Sequence, residues 1–287
     1  MSTSVKIAQK GKHWFITGAS SGFGRLLAEY LLSLDAKVVA TARRVEAIED
    51  LSRRFPGNAV VLPLDVTKQH SIEKAVADTL ARMDHIDVLV NNAGYGVTGA
   101  IEEVTEREYM PMFETNVFGL INLTKAFLPQ FRERRSGTIV NFSSIGGLIG
   151  AAGWGYYNAT KFAVEGLSEA LGAELAPVGV HVMVVEPGPF RTEFLGRSGM
   201  EAKERISDYE STAGKTREYF QTQSGKQPGD PQRAVEAVVA AVSDPNPPGH
   251  LLLGKIALSR FRKRLEDWKA ELDRWQATTE GADFPGG

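Results

Sequence analysis

Trp14-Phe15-Ile16-Thr17-Gly18-Ala19-Ser20-Ser21-Gly22-Phe23-Gly24, running into the helical pattern of residues 25–34, is the stretch that decides the fold. A short apolar strand ends in glycines spaced Gly-x-x-x-Gly-x-Gly, and a helix begins at once. Glycine lets the backbone turn sharply and approach a ligand closely. The N–H groups and positive end of the helix can then meet a pyrophosphate, so the unit is a candidate dinucleotide site. A lone glycine cluster is explained as well by a tight turn without ligand. The place of this one, at the first strand–helix junction, favours the site.

Outward from the loop, short apolar runs at residues 14–16, 37–40, 60–64, 88–90, 138–142 and 181–185 read as strands. Helical patterns at 25–34, 71–83, 117–133 and 158–176 lie between them, with apolar residues at threes and fours. Strand–helix alternation predicts an α/β fold: a Rossmann-like, doubly wound parallel sheet with helices on both faces, in a single domain over residues 1–287. Residues 249–253 offer one more strand, and Asp230-Pro231 reads as the N-cap and first position of a helix. The irregular segment 189–229 is expected to be a substrate loop or lid. Residues 282–287 read as a disordered tail.

Composition narrows the partners. Lys plus Arg number 33 against 35 Asp plus Glu, a net charge of −2, which gives no field to attract nucleic acid or anionic membrane. The chain has no cysteine, and its five histidines (His13, His70, His85, His181, His250) show no metal-ligand spacing, so no structural metal is expected. No apolar stretch approaches the ~20 residues of a membrane span, and a soluble cytoplasmic protein is expected.

The second strand should end near Ala42, where a dinucleotide fold meets the adenosine ribose. An acid there would bind the ribose hydroxyls of NAD; here the sequence reads Thr41-Ala42-Arg43-Arg44. A guanidinium suits the 2′-phosphate of NADP, so Arg43 points to NADP(H), with NAD the lesser candidate. The plainer alternative is two surface charges opening a helix.

Tyr157-Asn158-Ala159-Thr160-Lys161 puts a phenol and an ammonium four apart, on one helix face. A cation beside a phenolate lowers the pKa that desolvation raises, which makes Tyr157 a candidate proton donor. Tyr156 pairs in register with Thr160, so it should face elsewhere and serve packing.

Together these motifs resemble those of the short-chain dehydrogenase/reductase family, in its single-domain form, over about the first 195 residues. Thr17 to Gly24 is similar to its cofactor loop, in which Gly18, Ser20, Ser21, Gly22, Phe23 and Gly24 would contact the dinucleotide. Asp65-Val66 resembles its adenine-pocket pair and Asn91-Asn92-Ala93-Gly94 the motif that steadies the central strand, with Asn92, Ala93 and Gly94 toward the cofactor. Asn116 sits in Asn116-Val117-Phe118-Gly119, and Ser144 lies 13 residues before Tyr157, the family's usual interval. Pro187-Gly188, with Thr192 after it, resembles the nicotinamide-carboxamide segment. Many NADP-preferring members carry a basic residue where this chain has Ser21, so cofactor preference rests on the Arg43 region.

The resemblance implies hydride transfer at nicotinamide C4 coupled to proton transfer at a carbonyl or alcohol oxygen. Tyr157 would be the acid, Lys161 would lower its pKa and bind the nicotinamide ribose, Ser144 would bind the substrate oxygen, and Asn116 would hold a water leading from Lys161 to solvent. Ser143 should point to the opposite side of the strand from Ser144. A homodimer or homotetramer is also implied. The spacing disfavours an enoyl reductase, and the glycine pattern disfavours an extended-family epimerase. A regulator that binds NADP(H) without catalysis is the alternative of a different class.

Ile145, Leu148, Trp154, Phe190, Phe194 and Leu195 border the expected site and suit a hydrophobic ketone, aldehyde or secondary alcohol. Residues 258–276 read as an amphipathic helix, with Leu258, Phe261, Leu265, Trp268, Leu272 and Trp275 at threes and fours. Its basic face carries Arg260, Arg262, Lys263 and Arg264 and allows a membrane-surface or nucleic-acid role. A stripe packed on the body or on a partner subunit is the favoured expectation.

Overall fold

The computed structural model describes residues 3–196 and 199–284. The first half is α1 (Thr3–Gln9), β1 (His13–Ile16), α2 (Gly22–Ser33), β2 (Lys37–Ala42), α3 (Glu49–Arg54), β3 (Ala59–Pro63), α4 (Gln69–Met83) and β4 (Val88–Asn91). Next come β5 (Gly96–Thr98), α5 (Glu106–Phe113), a π-helical turn (Glu114–Gly119), α6 (Leu120–Arg134), β6 (Gly137–Phe142), α7 (Gly155–Leu175) and β7 (Val180–Pro187). The last part holds β8 (Gly199–Glu201), α8 (Lys215–Gln223), α9 (Pro231–Ser243), β9 (His250–Leu253) and α10 (Lys255–Glu280).

Seven strands form one parallel sheet in the order β3-β2-β1-β4-β6-β7-β9. The strands are apolar on both faces because helices cover both. Trp14 and Ile16 point into a core with α2 and α9, while Phe15 points into one with α4 and α6. The chain leaves β1 for β2 on one side and returns to β4 on the other, which opens a crevice beyond the carboxyl ends of these strands.

The expected strands and helices form, with ends displaced by a few residues. Asp230 caps α9 as expected, accepting from the backbone N–H groups of Gln232 (2.9 Å) and Arg233 (3.4 Å). α1 carried no apolar signal; Gln9 ties it down by accepting from the buried Trp14 indole at 2.9 Å and donating to Ser243 at 2.7 Å.

Two expectations are corrected. The segment 189–229 is not irregular throughout: it contains β8, which pairs in parallel with β5, and α8. A buried ion pair at 2.5 Å joins Arg217 of α8 to Glu103, which also accepts from the N–H groups of Ala100 and Ile206. Arg197 and Ser198 of this segment lie outside the described residues. Of the two packings expected for the stripe of α10, the one on the body does not form: along this helix Ala257 is the buried residue, and Leu258, Leu265, Trp268, Leu272 and Trp275 are exposed. No helix among the described residues is long and apolar enough to cross a membrane. Residues 285–287 of the expected tail lie outside the described residues, and Phe284 is exposed.

Candidate active site

The glycine loop lies between β1 and α2, where Thr17 organises the turn. Its hydroxyl accepts from the N–H groups of Asn92 and Ala93, each at 2.9 Å, while the Asn92 amide donates to the Thr17 carbonyl at 2.9 Å. Gly18 has φ +67°, a left-handed value that disfavours other residues. A Cβ at Gly24 would lie 2.5 Å from the Gly18 carbonyl oxygen and from Asn92 Nδ2. Gly24 therefore packs the helix onto the loop behind the cleft, whereas Gly18, Ser20, Ser21, Gly22 and Phe23 line it. Ser21 makes no side-chain cap, so the first N–H groups of α2 stay free of one. This arrangement fits a pyrophosphate.

From the loop the cleft, about 1050 Å³, runs past Arg43, Asp65, Val66, Asn92, Ala93 and Gly94 to Tyr157 and Lys161. It separates the two arginines: Arg43 lines it and Arg44 does not. Asp65 is held by its own turn, its carboxylate accepting from the N–H and hydroxyl of Thr67 at 3.0 and 2.8 Å. Pro187, Gly188 and Thr192 complete the rim, and Thr192 accepts from the Phe194 N–H at 3.3 Å.

Ser144, Tyr157 and Lys161 converge at the other end. The Tyr157 ring is packed between Trp154 and Phe194, with centroids 5.4 and 5.5 Å away. Burial pushes its phenol up to about 12, opposed by the hydrogen bond with Ser144. Lys161 is buried; burial pulls its ammonium down to about 8, with the charge of Glu165 acting the other way. Nζ donates to the Phe142 carbonyl at 2.8 Å and sits 5.8 Å from the Tyr157 ring centroid. Burial is thus the larger influence on the phenol in this arrangement.

Asn116 stands one layer behind, in the π-helical turn, a distortion that often marks functional sites. It does not line the cleft. Its amide donates to the Tyr95 carbonyl (2.8 Å) and Thr160 hydroxyl (3.1 Å) and accepts from the Tyr95 N–H (3.0 Å). Tyr156 turns away and stacks on Tyr109 at 4.3 Å, as its register requires. Ser143 faces Lys161 and Glu165, opposite Ser144.

On the substrate side Ile145, Trp154, Phe190, Phe194 and Leu195 line the cleft, but Leu148 does not; the short helical turn Ile145–Gly147 presents Ile149 instead. Sequence reasoning missed Tyr95, Met200, Tyr219 and Ile256, which line it too. Tyr95 follows the Asn91–Gly94 motif directly, the one signal that could have found it.

Behind α7, buried Glu165 and Glu186 meet half-exposed His250, whose Nδ1 lies 2.6 Å from Glu186 and 3.7 Å from Glu165. Burial raises both carboxyls, Glu165 to about 7. Burial opposes the charge on His250, but Glu186, Glu165 and Glu169 override it and raise its pKa. The fold also pairs His13 and His85, ring centroids 4.6 Å apart beside Asp87, which the sequence spacing does not show. These groups are engaged with one another: His13 Nδ1 lies 3.0 Å from the His85 carbonyl and His85 Nε2 3.3 Å from Asp87.

Comparison with known proteins agrees with this geometry. The pattern of the family described as short chain dehydrogenase matches residues 12–203. Oxidoreductase BOA17 of Botryotinia fuckeliana is 36% identical over 92% of this chain and 97% of its own. A 3-ketodihydrosphingosine reductase of Bacteroides thetaiotaomicron is 37% identical over 86% of this chain and 90% of its own. A short-chain dehydrogenase structure from Streptomyces avermitilis superposes with TM-score 0.90 at 45% identity, covering 96% of this chain and all of that one. Two further similar structures hold cofactors: a Burkholderia phymatum short chain dehydrogenase/reductase with NAD (25% identity, TM-score 0.81, 92% and 96% covered) and a serine dehydrogenase with NADP+ (29%, 0.72, 84% and 94%). The chain with this loop, cleft and Ser–Tyr–Lys cluster belongs to the short-chain dehydrogenase/reductase family and is an NAD(P)-dependent oxidoreductase.

Proposed function

We propose that this enzyme is an NADP(H)-dependent carbonyl reductase or alcohol dehydrogenase acting on a hydrophobic ketone, aldehyde or secondary alcohol. The observation that carries the reading is the meeting of Tyr157, Ser144 and Lys161 at one end of a cleft whose other end is the glycine loop. A nicotinamide bound there supplies or accepts the hydride.

The chain's own groups handle the proton. With its pKa near 12, the Tyr157 phenol is protonated at neutral pH and can give its proton to the substrate oxygen as negative charge grows there. The Ser144 hydroxyl donates a second hydrogen bond to that oxygen. Lys161, anchored at the Phe142 carbonyl, keeps a cation beside the ring, and in the oxidative direction this favours the phenolate. Asn116 holds Tyr95 and Thr160, and so positions α7 rather than touching substrate.

Gly18, Ser20, Ser21, Gly22 and Phe23 would hold the pyrophosphate, Asp65 and Val66 the adenine, and Pro187, Gly188 and Thr192 the carboxamide. Similar structures bind NAD in one case and NADP+ in another, so the preference rests on Arg43, which faces the cleft at the end of β2. The Bacteroides relative, named a 3-ketodihydrosphingosine reductase, supports a hydrophobic carbonyl substrate. A non-catalytic regulator gains no support, because a sensor needs no enclosed phenol beside a serine and a lysine.

The test is a panel of carbonyl compounds followed at the NADPH absorbance. Aromatic and steroidal ketones should turn over faster than small sugars or hydroxy acids, and NADPH faster than NADH. Arg43→Ala should lower kcat/KM for NADPH about tenfold, the worth of one charge-assisted hydrogen bond, and leave NADH nearly unchanged. Preference for NADH in the parent enzyme, or for small polar substrates, contradicts the reading.

A further inference from the structure

We propose that α10 is a docking surface for a second copy of this chain, and that two copies pair there as an antiparallel coiled coil. Leu258, Phe261, Leu265, Trp268, Leu272 and Trp275 follow one another at intervals of three, four, three, four and three. This is the strict 3.5-residue seam of a two-stranded coiled coil, narrower than the stripe of a helix laid on a globular core. Five of these side chains are 43–66% exposed. The body therefore leaves the seam uncovered, and what a seam of this period fits is another helix.

The seam is complementary to itself in one orientation. Antiparallel pairing sets Leu258 against the partner's Trp275, Phe261 against the partner's Leu272, and Leu265 against the partner's Trp268. Each layer recurs through the two-fold axis, as an isologous interface requires.

Charge selects the same orientation. Residues 255–267 carry Lys255, Arg260, Arg262, Lys263 and Arg264 against Glu266 and Asp267, five minus two, or +3. Residues 268–280 carry Lys269 and Arg274 against Glu271, Asp273 and Glu280, two minus three, or −1. Antiparallel helices lay the basic half of one along the acidic half of the other, while parallel helices set two +3 halves side by side. Arg264 then flanks the partner's Glu271, and this attraction offsets the repulsion on the other flank, where Arg262 faces the partner's Lys269. Orientation is set by the halves and by the layers. A membrane surface fits less well, since that role needs a broad apolar face with one sign of charge opposite it.

The experiment is sedimentation of the full chain and of Leu265→Glu/Leu272→Glu, both checked for folding by circular dichroism and turnover. The variant should have half the mass of the parent and retain turnover; equal masses overturn the proposal. Orientation is read by cross-linking, because the parent has no cysteine. Positions 258 and 275 are about 26 Å apart along a helix. Oxidation should therefore link a mixture of Leu258→Cys and Trp275→Cys proteins but neither alone. Linking within a single variant, or none in the mixture, overturns it, as does a monomeric parent that sediments with phosphatidylserine vesicles.

Discussion

The two ends of the cleft are built from different materials. At the glycine-loop end, the proposed cofactor end, the lining comes from backbone and small residues: Gly18, Ser20 and Ser21 on a loop fixed by Thr17 and Asn92. At the other end, the proposed substrate end, it comes from large side chains: Trp154 at the start of α7, and Phe194 and Tyr219 on the segment held by the β5–β8 pair and the Arg217–Glu103 ion pair. Backbone binding tolerates no added atoms, whereas an aromatic wall can be trimmed and still stand. The cofactor end is thus constrained residue by residue, and the substrate end by volume and apolarity.

This contrast predicts which damage goes where. Gly24→Val should weaken cofactor binding by roughly 100-fold, about 3 kcal/mol, because the new side chain drives into the Gly18 carbonyl. Fluorescence titration with NADPH checks it, and an unchanged Kd in a folded variant would break the contrast. Phe194→Ala should raise KM for an apolar ketone about tenfold while cofactor Kd stays the same, since it removes one apolar wall. A shift in cofactor affinity of the same size would show the two ends are not separable.

The smallest effect lies behind the wall. Glu165 has a folded pKa near 7 against an ordinary 4.5, so the folded state holds an extra proton between these values and loses stability as pH rises through them. The raised His250 acts in the same direction, its contribution present below its ordinary 6.5 and lost as pH passes its folded value. Glu165→Gln should therefore gain Tm relative to the parent by about 2–4 °C between pH 5 and pH 8. A Tm difference that does not change with pH would mean the carboxylate is already ionised in the folded state.

What the sequence made legible follows the same division. The glycine loop, the alternating strands and helices and the Tyr157–Lys161 register are local patterns of fixed period, and a linear reading finds them. The separation of Tyr156 from Tyr157 came from helix geometry alone. β5 and β8 are three residues each, a hundred positions apart, with too few residues to show a period. The Arg217–Glu103 pair likewise joins positions 114 apart. Ile149 replaced Leu148 because the helical turn Ile145–Gly147 shifts which side chain reaches the cleft. The Tyr157–Lys161 spacing shows a cation within reach of the phenol, but the depth of burial, which depends on Trp154 and Phe194 closing over the ring, cannot be read from spacing.

The central claim is that Tyr157 is the proton donor and its neighbour Tyr156 a packing residue. Tyr157→Phe and Tyr156→Phe should be compared for NADPH binding and for turnover of one apolar ketone. The account predicts that both bind NADPH like the parent, that Tyr157→Phe loses turnover, and that Tyr156→Phe keeps most of it. Equal loss in the two variants, or full turnover in Tyr157→Phe, would contradict it.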